Sequence, residues 1–80
     1  MNPRAKEVKY ISDYNLLIKF TNDEERIFNI SSLLADKWFA PLSDINLYKQ
    51  VYVIGGTIEW NNGIDICPDD LYNLSQPLPH

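Results

Sequence analysis

The chain has little of several things that usually announce a function. Cys67 is the sole cysteine and His80 the sole histidine among 80 residues. A lone cysteine excludes an intramolecular disulfide, so the fold does not depend on an oxidising compartment. A lone terminal histidine leaves nothing to complete a soft-metal site or to act as a nearby base for Cys67. No long apolar run exists: the longest aliphatic or aromatic stretch is Val51-Tyr52-Val53-Ile54, far short of a membrane span. Positive charge is also scarce. Seven Lys and Arg face eleven Asp and Glu, a formal net charge of -4.

That balance bears on partners. Nucleic-acid affinity comes largely from Lys and Arg neutralising phosphates, and only Arg4, Lys6 and Lys9 cluster here. Asp23, Glu24, Glu25, Asp69 and Asp70 oppose any broad basic face, so nucleic acid is not the expected partner. An acidic surface steers a basic protein more readily. The N-terminal stretch Met1-Asn2-Pro3-Arg4 has no apolar segment after it, so no secretory leader is expected. By elimination the protein is expected in the cytoplasm, away from membranes.

What is present is a folded-protein composition, 45% hydrophobic with ten aromatic residues. Residues 1–75 read as a single domain and 76–80 as a flexible C-terminal tail, with two prolines and no periodicity. A domain this small buries only about 60% of its unfolded surface. Burial against a partner, either a second copy or another protein, would add to its stability.

Hydrophobic patterning gives an α+β fold: a mainly antiparallel sheet of five to six short strands with two to three short helices. Val8 and Tyr10 alternate with Glu7 and Lys9, and Leu16, Ile18 and Phe20 alternate with Asn15 and Lys19. Leu17 breaks the outward series, which points to partial cover of that face. Phe28 and Ile30 mark a third strand after an Asn22-Asp23 turn. Ser31 or Ser32 offers a helix start, and Trp38 and Phe39 are expected to anchor an irregular link to the core. Ser43-Asp44 caps a helix of about two turns ending near Gln50. Two strands separated by Gly55-Gly56 follow. Asn61-Asn62-Gly63 suggests a primed hairpin turn closed by residues 64–66. Pro68 fits the first position of a last helix, with Asp69 and Asp70 at its positive end.

The segment from Gly55 to Asp70 carries the only dense set of chemical side chains. Asp65, Cys67, Asp69 and Asp70 would make a metal site or acid–base pair only if they converged on one point. Helix-start chemistry for the aspartates and a small buried thiol at Cys67 explain them more simply. Gly55-Gly56 lacks the further glycines, lysine and following helix of a phosphate loop. No cofactor is expected. Trp60, Asn62, Gly63, Asp65, Asp69 and Asp70 are the candidate interaction or motif residues.

Several motifs recur in order: Asn2-Pro3-Arg4, Phe20-Thr21-Asn22, Arg26-Ile27-Phe28, Phe39-Ala40-Pro41-Leu42, Gly55-Gly56-Thr57-Ile58, Trp60-Asn61-Asn62-Gly63 and Asp65-Ile66-Cys67-Pro68-Asp69. Together they resemble the bacterial domain-of-unknown-function family 2442. Asp23 stands where that family usually turns on Gly, and Ile45 where Pro often follows the capping Asp. The resemblance implies a small α+β domain without established catalysis, encoded beside another small protein as the antitoxin-like member of a pair. The function expected is therefore a non-catalytic interaction domain. The alternatives are a metal-dependent enzyme using Asp65, Asp69 and Asp70, and a transcriptional co-regulator touching DNA through Arg4, Lys6 and Lys9.

Overall fold

Period-two alternation builds the first half of the chain. In the computed structural model, which describes residues 2–78, β1 (Ala5–Ser12), β2 (Asn15–Phe20) and β3 (Glu25–Asn29) form an antiparallel meander. Leu16, Ile18, Phe20 and Phe28 point inward and are fully buried. Ala5 and Val8 also face inward although three apart, because the β1–β2 register shifts between Ala5 and Glu7. One extra residue in one strand resets the alternation. Lys6 occupies that shift, and its Nζ donates to Asp23 Oδ1 at 2.9 Å.

The β2–β3 turn explains why Asp23 can stand in a glycine position. Phe20 O accepts from Asp23 N, and Phe20 N donates to Glu24 O. This is a three-residue loop whose last residue is left-handed, and Asp23 has φ +66°. Asp and Asn tolerate that region better than other side chains with a Cβ.

The second half makes a separate two-stranded sheet, β4 (Tyr52–Ile54) with β5 (Thr57–Glu59). All six strands pair antiparallel, as expected, but they are shared between two sheets. Gly55 and Gly56 have φ +57° and +80° between paired Ile54 and Thr57, the two positive angles of a primed turn. Gly56 O accepts from Ala5 N at 2.8 Å, which ties the hairpin to the start of β1. The Asn61-Asn62-Gly63 turn differs from expectation. Only Gly63 has positive φ, Trp60 N donates to Ile64 O, and the loop has three residues. Residues 64–66 then form one bridge, Asp65 to Glu59, in place of a full strand. Thr57 Oγ1 donates to Ile66 O, taking the place of the next ladder bond.

Between the sheets run 3₁₀ turns at Ser31–Leu33 and Ala40–Ser43 and a single helical turn α1 (Ile45–Tyr48). Asp44 caps α1 by accepting from Asn46 N, as its sequence position suggests. Neither Ser31 nor Ser32 caps the earlier turn; Asn29 Oδ1 accepts from Ser31 N instead. α1 is one turn, not two, because Gln50 N donates three residues back to Leu47 O and the ladder stops. Helix α2 (Pro68–Leu74) buries Leu71 and starts on Pro68. Beyond it, Gln76–Pro77 forms β6 on the edge of β3, giving the order β1-β2-β3-β6. The expected tail therefore includes a strand. Proline is admissible there because edge strands leave one row of donors unused. Residues 79 and 80, including His80, lie outside the described residues.

The two turn glycines differ in surroundings. A Cβ at Gly55 meets nothing within 4 Å, whereas one at Gly56 lies 3.0 Å from Arg4 Cβ. Both Ala substitutions cost the left-handed penalty, about 1–2 kcal/mol. Gly56→Ala is expected to lose more than Gly55→Ala, measured by urea denaturation; equal losses would contradict the contact with Arg4.

Candidate functional site

The carboxylates of the last third do not converge. Asp65, Cys67, Asp69 and Asp70 are all exposed. Asp69 faces Arg4 Nη1 at 3.6 Å, an exposed pair. Among the described residues, no group of three His, Cys, Asp or Glu side chains is placed to hold a metal ion. The metal reading needed that convergence. Cys67 also departs from expectation: it precedes α2 on the surface instead of filling the core. Asn62 and Gly63 serve the turn, since Asn62 Oδ1 accepts from Ile64 N and Gly63 supplies φ +86°. The N-terminal basic group is divided as well. Arg4 and Lys6 face Asp69 and Asp23, and Lys9 has no ion pair among the described residues.

The two tryptophans exchange the roles that sequence suggested. Trp60, a candidate interaction residue, is 0% exposed. Its Nε1 donates to Tyr48 O at 3.0 Å, and its ring stacks on Tyr48 with centroids 5.6 Å apart. Tyr48 in turn donates its hydroxyl to Tyr14 O at 2.9 Å. Burial pushes the Tyr48 phenol well above its ordinary value, so it remains a neutral donor. Trp60 is thus an interior joint and unavailable to a partner.

Trp38, expected in the core, is 55% exposed. Its loop is nevertheless well bonded. Asp36 Oδ1 accepts from Trp38 N at 2.8 Å, and Asp36 O accepts from Phe39 N and Ala40 N. Phe39 packs against the core, and its neighbour in such a tight turn points away from it. The aspartate two residues before Trp38 was the readable signal, since Asp often closes such a turn on its own backbone. Among the described residues Trp38 is the most exposed large apolar side chain, ahead of Ile11, Tyr52, Ile54 and Leu74.

A polar clamp fixes the C-terminal helix to the β2–β3 hairpin. Arg26 Nε donates to Ser75 Oγ and Nη2 to Ser75 O, each at 2.7 Å. Arg26 Nη1 donates to Glu24 Oε2 at 2.7 Å, and Tyr72 donates its hydroxyl to Glu24 Oε1 at 2.7 Å. The guanidinium lies 4.4 Å from the Tyr72 ring centroid. These contacts are structural, spanning β3, α2 and the turn before β6. Hydrogen bonds from Tyr72, Arg26 and Asn22 pull the Glu24 carboxyl down from 4.5 to about 2. A depressed carboxylate stabilises the fold above its unfolded pKa and loses that contribution as protons bind. Stability is therefore expected to fall between pH 4.5 and about 2. Denaturant midpoints across that window should flatten in Glu24→Gln, and an unchanged slope would contradict the clamp.

No helix of the described residues is long and apolar enough to cross a membrane. No curated protein and no solved structure matches the chain. A family model matches over residues 5–77, spanning the meander, the second sheet, α2 and the edge strand. The chain belongs to the family described as Protein of unknown function (DUF2442).

Proposed function

We propose that the domain is a non-catalytic interaction module whose anchor is Trp38. It would act in the cytoplasm on a basic protein, as the antitoxin-like half of a pair encoded by neighbouring genes. The observation that carries this is Trp38, 55% exposed on a loop pinned by three bonds to Asp36. Tryptophan is enriched among residues that dominate binding energy, and a pre-ordered loop loses little entropy on docking. The net charge of -4 supports a basic partner by steering its approach. A DNA-contacting co-regulator is less well supported, because Arg4 and Lys6 already face carboxylates.

Co-expression with the neighbouring gene product should give a complex that survives size-exclusion chromatography. Trp38→Ala is expected to weaken it by about 30-fold or more, as loss of a hot-spot residue does. Thermal unfolding of the free domain should barely move, because the side chain is outside the core. Separate migration of the two wild-type proteins would overturn the proposal.

A further inference from the structure

The outer face of the meander carries a pattern that the fold itself does not use. Leu17 and Ile27 are cross-strand partners on β2 and β3 and are half-buried, yet neither packs against the core. One register step along, Lys19 pairs with Glu25, and Glu7 on β1 pairs with Lys19. Beside Leu17 on β1 stands Lys9. Over β1, β2 and the start of β3 this face is hollowed by a groove of about 420 Å³ whose lining includes Glu7, Lys9, Leu17, Lys19 and Glu25.

The two central rows, Leu17–Ile27 and Lys19–Glu25, are complementary to themselves. Consider a two-fold axis parallel to the strands and midway between β2 and β3. It sets Lys19 against Glu25 of a second copy and Leu17 against Ile27 of that copy, each twice. The same operation lays the second copy's Ile27 over Leu17, at the groove. An isologous interface must match itself under such an axis, and aligned packing of two sheets at about 10 Å gives side chains room to interdigitate. We propose that this face is a homodimer interface and that the second copy is the cover for Leu17. The contact does not involve Trp38, so dimerisation and partner binding fail independently.

Sedimentation velocity of the full chain should show monomer passing to dimer between micromolar and millimolar concentration. Lys19→Glu places four carboxylates at the centre of the dimer, and Glu25→Lys places four ammonium groups there. Each variant alone is expected to dimerise at least about tenfold more weakly, because like charges meet across the interface. An equimolar mixture of the two restores opposite pairs across the axis while leaving each chain's own pair like-charged. The mixture should therefore form a heterodimer, a result that loss of stability within one chain does not produce. Leu17→Asn, with native charges, should also be monomeric and supplies the same reading should a charge variant fail to fold. A wild type that stays monomeric at millimolar concentration would overturn the proposal. So would a dimer indifferent to both Lys19→Glu and Leu17→Asn, or folded charge variants that remain monomeric when mixed.

Discussion

The stack of Trp60 on Tyr48 is the contact on which the remaining architecture depends. Two hydrogen bonds and the ring stack join parts of the chain that no strand pairing connects. Trp60 directly follows β5, Tyr48 ends α1, and Tyr14 sits in the turn between β1 and β2. Truncating a buried Trp costs about 3–5 kcal/mol, and a domain under 80 residues seldom has more than about that in total. The polar atoms of the joint are all partnered, so it combines apolar burial with no unmet hydrogen bond. Around it the molecule closes its two small sheets on one core, with Ala5 and Gly56 providing the backbone link at the far end.

The clamp around Glu24 and Arg26 does for the C-terminal third what Trp60 does for the middle. α2 touches the core through Leu71 and through Tyr72, whose ring meets Phe20 edge-on at 5.0 Å. Its helical end is then held by Arg26 reaching both the hydroxyl and the carbonyl of Ser75. That anchoring delivers Gln76 and Pro77 to the edge of β3. Asp65, Asp69 and Asp70 take no part in this clamp and are exposed.

Local rules made much of this legible in the sequence. Alternation placed Leu16, Ile18, Phe20 and Phe28 inward, the Gly55-Gly56 pair marked a turn between two strands, and Asp44 and Pro68 marked helix starts, all as found. Beyond turn type, one cap and the length of α1, what was missed was tertiary. Both tryptophans are large and apolar, and nothing local says that Trp60 has a carbonyl waiting at Tyr48 while Trp38 is turned outward beside a half-buried Phe39. β6 was equally unreadable, because two residues carry no periodicity and their pairing depends on Arg26 holding Ser75. The outward position of Leu17 points to cover, and within the single chain it is half-buried without packing against the core.

One assignment is central: Trp60 is the sealed interior joint and Trp38 faces solvent. Acrylamide quenching of fluorescence in Trp38→Phe, which leaves Trp60 as the only indole, tests it directly. The emission is predicted to be blue-shifted and scarcely quenched until denaturant unfolds the chain. Quenching as ready as that of a free indole in native buffer would contradict it.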